Sequence, residues 1–450
     1  MPHRLREAME RDLPNLIIGL GKTGLSCARY LAARGEAFAA ADSRAAPPWL
    51  EEFRTAFPEA PFHLGGFDPA LLARARRLIV SPGVALAEPA IAAAIQDGAE
   101  ALGDIELFAR AARAPVVAIT GANGKSTVTT LVGEMLRDAG CRVRVGGNLG
   151  TPALDLLTGD DPDFYVLELS SFQLETTRSL NAAAAVLLNI SPDHMDRYRD
   201  LTEYTAAKRR IYRGDGVMVI NSDDPLVAAM AEADRDCLRF SLSEPASGDY
   251  GLRERDGQRW LAKGTEALMP VADVRIKGLH NIANALAALA LCEAVGLPTP
   301  SLLDTLRHFP GLPHRTQWVA QIRGVDWYDD SKGTNVGATL AALQGMPSKV
   351  VLIAGGLGKA QDFTPLRPAV AAKARAVILL GTDAPVIEHA LAGAVPLVRV
   401  GSMEEAVAQA AQLAVPGDAV LLSPACASFD MFKGYDHRGQ VFSDAVRRLS

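Results

Sequence analysis

The chain has 450 residues, 49% hydrophobic and 22% charged, and its 46 Lys+Arg against 52 Asp+Glu give a formal net charge of −6. At roughly 100–200 residues per domain, this length predicts about three domains, and the composition excludes disordered, collagen-like and disulfide-scaffold classes. No basic segment offers a phosphate-backbone footprint, so nucleic acid is not an expected partner. The longest apolar runs, such as 182–188, fall far short of the ~20 residues of a membrane span. Residues 1–12 (MPHRLREAMERD) are charged and lack the apolar centre of a signal peptide. Cys27, Cys141, Cys237, Cys292 and Cys426 are odd in number and scattered, with no disulfide or zinc spacing, so a cytoplasmic compartment is expected.

Apolar strand-like runs alternate with Ala-rich helical stretches almost from end to end, which predicts an α/β architecture with mostly parallel sheets. The first block opens with NLIIGLGKTG (15–24), continues to a short strand ending at Asp42, and passes LIVSPGV (78–84) before closing near Leu102. A second block opens with VVAITGANGKST (116–127) and runs through FYVLELSSF (164–172) and AVLLNISPDHMDR (185–197). It ends near FPGLPHR (309–315), whose Pro-Gly-Leu-Pro run marks a hinge. The third carries VDWYDDSKGTN (325–335), KVVLIAGGLGK (349–359), AVILLG (376–381) and AVLLSPACASFDMF (419–432).

Two glycine-rich loops stand at strand-to-helix junctions. Gly19, Gly21 and Gly24 form G-x-G-x-x-G, with Asp42 at the end of the next strand, where it could accept hydrogen bonds from a ribose or base. A nicotinamide-dependent dehydrogenase and a tight turn that merely needs glycine both remain open for this loop. ITGANGKST is a phosphate-binding loop, shorter than the usual form because Ile119 stands where the first glycine would be. Its amides and helix N-terminus suit phosphates, Lys125 suits the β/γ oxygens, and Ser126 can ligate Mg²⁺. Lys125 is expected to face solvent when no nucleotide is bound. A P-loop regulatory ATPase would explain this loop but not the flanking blocks. Two such loops suggest ATP and a second, nucleotide-tagged ligand. Glu168, at the end of an apolar strand, could complete a Mg²⁺ site with the loop hydroxyl. Asp193, His194 and Asp196 follow another strand end, while Lys208 on a predicted helix reads from spacing alone as a solvated lysine.

Together these motifs resemble those of the Mur ligases. The resemblance covers nearly the whole chain, from GLGKTGLS to SPACASFDMFKGY, and is most specific in GANGKSTVTTL, GGNLG, LELSSFQLE, DHMDRY, HNIANALAA, GLPHR, DSKGTN and SPACAS. It implies a Rossmann-like domain at 1–103, a P-loop ATPase domain at 104–312 and a second Rossmann-like domain at 313–450. The implied reaction is ATP-dependent amide formation between D-glutamate and UDP-N-acetylmuramoyl-L-alanine through an acyl phosphate, in peptidoglycan precursor synthesis, by a monomer. Ligases of this family with other amino-acid substrates, and folylpolyglutamate synthases, are the nearest alternatives.

By resemblance, Lys22, Thr23, Asp42, Ser43, Arg44 and Gly83 would contact the UDP moiety, and Asn148 the same substrate. Gly121, Ala122, Asn123, Gly124, Lys125, Ser126, Thr127, Asn281, Asn284, Arg315, Asp330 and Lys332 match ATP-contacting positions. One Mg²⁺ would sit between Ser126 and Glu168, and a second would be held by His194 and a carbamylated Lys208. Thr334, Lys359, Ser428 and Tyr435 match the D-glutamate contacts. Lys125, His194 and Lys208 are the implied catalytic residues.

Overall fold

The computed structural model describes residues 13–449; the charged stretch 1–12 and Ser450 lie outside the described residues. Three sheets follow one another along the chain. The first is parallel throughout, in the spatial order Phe62–Leu64, Ala39–Asp42, Leu13–Ile18, Ala75–Val80, Glu100–Leu102. The third is parallel except for the edge strand Gln317–Ile322; beyond it come Val325–Asp329, Ala419–Leu422, Val350–Gly355, Ala374–Leu380 and Leu397–Arg399. Both are Rossmann-like, with helices on their faces.

The central sheet has nine strands. Val116–Thr120 lies between Phe164–Glu168 and Ala184–Leu187 and pairs parallel with both. Helices cover a parallel sheet on both sides, so its inner strands can be apolar at every position. VVAIT shows this: Val116 and Ala118 enter one apolar cluster, and Val117 and Ile119 the one on the opposite face.

At the far edge the expected strand–helix alternation fails. Tyr250–Arg255, Gln258–Lys263 and Glu266–Pro270 form an antiparallel meander. The cause is local: Asp256 and Gly257 have φ of 53° and 73°, the left-handed pair of a two-residue hairpin turn that an Asp-Gly dipeptide favours.

The helix Asp104–Ala111 joins the first two units. Ile105 and Phe108 belong to the apolar cluster that holds Ile17 and Leu25 of the first sheet layer and Tyr165 and Leu167 of the second. On the same helix, Glu106 is 1% exposed. Its carboxylate accepts hydrogen bonds from the Arg178 amide (2.7 Å), the Ser179 amide (2.9 Å), the Ser179 hydroxyl (2.8 Å) and Arg110 Nε (2.9 Å). Burial alone would push this carboxyl up, but these donors outweigh it and hold it below the ordinary range.

Removing an acceptor with buried donors leaves them unsatisfied, so Glu106→Ala is expected to cost about 2–4 kcal/mol, measured by thermal or urea unfolding. Because the folded-state pKa is depressed, the carboxylate's contribution is present above the unfolded value of about 4 and is lost as pH falls through the folded one. The parent-minus-variant stability gap therefore shrinks in acid.

Candidate active site

The phosphate loop follows directly from its strand. Val116–Thr120 ends at Gly121, and the helix Lys125–Asp138 starts four residues later with Gly124 as its N-cap at φ 85°. A side chain on Gly124 would come within 2.5 Å of Asn284 Oδ1, so the loop and the helix Leu279–Ala294 are in direct contact. Lys125 departs from the sequence expectation. Rather than facing solvent, it is half-buried, and its Nζ donates to the carbonyls of Gly121 (2.8 Å) and Ala122 (3.0 Å). Burial lowers its pKa, while the charges of Glu168 and Asp193 act in the opposite direction. A long side chain beside bare carbonyls folds onto them, which a linear motif does not reveal.

Lys208 departs further from its bland reading. It lies on the helix Leu201–Arg209, is 2% exposed, and donates to the Gly121 carbonyl at 2.9 Å. The Tyr204 ring lies 4.8 Å from its nitrogen. Burial, reinforced by the Lys125 charge, drives its pKa well below that of an ordinary lysine.

Glu168 is 3% exposed; its Oε1 accepts from Asn148 Nδ2 at 2.6 Å, whereas its buried Oε2 has no partner. Ser126, also buried, accepts from Arg315 Nη2 at 2.6 Å. His194 has φ 57°, rests edge-on against Phe172 with centroids 4.7 Å apart, and has its pKa lowered by burial. Among the described residues, no group of three or more His, Cys, Asp or Glu side chains is placed to hold a metal ion. The carboxylate oxygen and hydroxyl fit Mg²⁺, which commonly draws its other ligands from water and phosphate. A lysine ammonium does not fit a cation site.

These groups face a cleft of about 760 Å³ between the central and third units. Ala122–Ser126, Asn148, Glu168, His194, Lys208, Arg315, Lys332, Thr334, Lys359, Ser428 and Tyr435 all line it. An adjoining pocket of about 270 Å³ is lined by Gly124, Thr127, Asn281, Asn284, Arg315, Asp330 and Lys332. Sequence reasoning missed several of its other residues. Asn189 exchanges hydrogen bonds with Asn123 (2.8 and 3.1 Å), and His280 meets the Thr316 hydroxyl at 3.2 Å. His280 adjoins Asn281 in HNIAN, a signal that could have found it; Asn189 lies just past its strand within AVLLNISPDHMDR, where nothing in the spacing marks it as a partner of the phosphate loop.

Lys332 Nζ lies 3.8 Å from the Tyr435 ring centroid, and burial with the Arg315 charge lowers its pKa to about 8. Asp330 is buried and accepts from Ser423 Oγ (2.7 Å) and the Thr316 amide (3.0 Å). Burial raises its pKa to about 7 despite those donors.

Lys22, Thr23, Asp42, Ser43, Arg44 and Gly83 do not line the cleft; they lie at or just beyond the carboxyl ends of the first sheet's strands, or at the start of the following helix. Lys22 reaches the rim, with Nζ 2.7 Å from the Gly150 carbonyl. Asp42 is not the free acceptor expected from its position. One oxygen takes the Leu20 amide (2.7 Å) and Arg44 Nη2 (2.7 Å), and the other takes the Arg44 amide and Nε (both 2.9 Å). It therefore shapes the glycine loop, and Ser43 and Arg44 are the exposed groups beside it.

A phosphate-loop unit between two Rossmann-like units, with all three strand-end edges near one cleft, defines a nucleotide-dependent enzyme of several substrates. Family models match the chain in the same order: Mur ligase MurD-like N-terminal domain (residues 14–103), Mur ligase middle domain (119–292) and Mur ligase glutamate ligase domain (314–426). The chain belongs to the Mur ligase family. It is 58% identical over 437 residues to a UDP-N-acetylmuramoylalanine–D-glutamate ligase of Nitrosococcus oceani, covering 97% of this chain and 96% of the relative. A protein of the same name from Pseudomonas aeruginosa is 54% identical over 439 residues, covering 97% and 98%. The fold is shared with solved structures of a pseudomurein peptide ligase type C from Methanothermus fervidus (TM-score 0.61, 18% identity) and a UDP-N-acetylmuramate–alanine ligase from Thermotoga maritima (TM-score 0.60, 18% identity). Each match covers 97% of this chain and 100% of the other.

The raised Asp330 carboxyl makes a prediction for the ligand-free protein. Between about pH 4 and pH 7 the unfolded chain has lost this proton while the folded chain retains it, so its contribution to stability declines as pH rises through that window. Asp330→Asn removes that decline. Thermal unfolding across the window should show the variant gaining on the parent toward neutral pH.

Proposed function

We propose that the protein is an ATP-dependent amide ligase that adds D-glutamate to UDP-N-acetylmuramoyl-L-alanine in peptidoglycan precursor synthesis. One observation carries this reading: the phosphate loop, Asn148 with Glu168, and Thr334, Lys359 and Ser428 of the third unit all face a single cleft. Two substrates and ATP can meet there. The proposed division of labour places UDP on 1–103, ATP on 104–312 and D-glutamate on 313–450, in a cytoplasmic monomer. No helix among the described residues is long and apolar enough to cross a membrane.

The chemistry follows from the charges. A carboxylate is a poor electrophile and repels a triphosphate. The substrate's L-alanine carboxyl is therefore first phosphorylated by ATP, and the glutamate amine then attacks the acyl phosphate and expels phosphate. Lys125 would leave the Gly121 and Ala122 carbonyls for the β/γ oxygens, and Arg315 and Lys332 would add positive charge around the transferring group. Asn281, Asn284 and Asp330 would seat the nucleotide in the smaller pocket. Asn148 would orient both Glu168 and the UDP-linked substrate. Ser126 and Glu168 would hold one Mg²⁺, and His194 with modified Lys208 a second; when bound, the ions would neutralise charge between carboxylate and triphosphate.

Lys208 can join such a site only as an anion. A buried, neutral amine can attack CO₂, giving a carbamate and releasing one proton, which turns a repelling cation into an oxygen donor. Its low pKa supports that reaction.

Phosphate release from ATP should require both UDP-N-acetylmuramoyl-L-alanine and D-glutamate, and no other amino acid tested should replace D-glutamate; release with either substrate alone would overturn the assignment. Lys125→Ala should lower turnover at least about a thousandfold while leaving the fold intact, and turnover within tenfold of the parent would contradict the loop's role. Lys208→Ala should lose most activity and recover part of it with acetate or formate, whereas Lys208→Arg should stay inactive under the same treatment. An active arginine variant would remove Lys208 from the site.

A further inference from the structure

The helix Tyr435–Arg447 buries a guanidinium under the third unit's edge of the cleft. Arg438 is 1% exposed. Its Nε donates to Ser331 Oγ (2.9 Å), its Nη2 to the Ser331 carbonyl (2.8 Å) and its Nη1 to the Cys426 carbonyl (3.1 Å). All three acceptors are neutral. The Ser331 hydroxyl passes the chain on, donating to the Tyr435 carbonyl at 2.7 Å. A further bond, from the Ala425 amide to the Gly333 carbonyl (2.9 Å), ties the same two loops together.

The positions so fixed are informative. Ser331 lies between Asp330 and Lys332 and three residues before Thr334; Cys426 lies two before Ser428. Lys332 in turn rests on the Tyr435 ring. A fully buried arginine held by neutral oxygens is a costly way to stabilise a fold, since an apolar side chain of similar shape would avoid the desolvation. What an apolar side chain cannot supply is direction: a planar fork sets the distance and angle between two backbones.

We propose that Arg438 is a positioning residue for the amino-acid half of the reaction, locking the 330–334 and 425–428 loops into one rigid receptor edge. This rests on the function proposed above and adds a residue that neither the motifs nor the cleft lining single out. Arg438 touches no substrate; it acts through Ser331 and Cys426 on Thr334 and Ser428.

The test uses steady-state kinetics of the full chain with each of the three substrates varied in turn. Arg438→Lys keeps the charge and loses the fork, and should raise KM for D-glutamate about tenfold while KM for the UDP-linked substrate stays within about twofold. Ser331→Ala removes the relay hydroxyl and should shift the same constant in the same direction. The double variant should be no worse than Arg438→Lys alone, because both changes break one linkage. An unchanged D-glutamate KM in Arg438→Lys would overturn the proposal. So would a parallel rise in all three constants with a lowered Tm, which marks a merely structural residue. A parent enzyme that releases no phosphate with D-glutamate overturns the proposed function and this inference together, whereas an active parent with an unshifted variant overturns the inference alone.

Discussion

Two lysine side chains meet on one carbonyl oxygen. Lys125 and Lys208 both donate to the carbonyl of Gly121, at 2.8 and 2.9 Å, and two ammonium charges that close in a buried setting repel strongly. Burial and this crowding both disfavour the charged form, and the deeper nitrogen, Lys208, is the one driven furthest below its ordinary value. Much else in the site depends on this crowding. The loop holds Lys125 folded back onto its carbonyls, and the helix Leu201–Arg209 presents the Lys208 amine beside it. The carboxylates Glu168 and Asp193 supply the compensating field.

The same loop is also where the units of the chain make contact. Arg315, from the segment entering the third sheet, reaches the Ser126 hydroxyl, and Asn335 at the head of the helix Val336–Gly345 faces Asn123 across 3.3–3.4 Å. The helix Asp104–Ala111 fastens the first sheet to the second through Glu106 and a shared apolar cluster. The site is therefore assembled from segments far apart in sequence, most of them carboxyl ends of parallel strands or starts of the helices that follow; Lys208, in the last turn of its helix, and Arg315, ahead of an antiparallel edge strand, are delivered otherwise.

This explains what could be read from residues alone. Glycines, lysine and hydroxyls of the phosphate loop are contiguous, and their chemistry is stated by their spacing; alternating apolar runs gave the α/β layering, while the Rossmann-like form of the flanking units came only with the family resemblance. The meander at 250–270 was hidden because its Asp-Gly turn lies in a polar stretch that does not stand out among helices. Lys208 looked like a surface residue because nothing in YTAAKRRIY reveals that its helix packs against the loop. Asp42 looked like a ligand acceptor because its partner, Arg44, lies only two residues on, and a linear motif does not say which way a guanidinium turns. Asn189 owes its place to tertiary contacts, whereas His280 could have been found from its position at the head of HNIAN.

One feature of the linker reaches beyond catalysis. His314 and Thr316, on either side of Arg315, have φ of 61° and 48°; for a β-branched threonine this is a strained conformation that persists only while its surroundings enforce it. The enforcing groups are Asp330, which receives the Thr316 amide, and His280, which meets its hydroxyl. All three residues border the pocket of about 270 Å³. The seat of Arg315 against Ser126 therefore depends on a strained segment whose restraints, Asp330 and His280, come from two other parts of the chain.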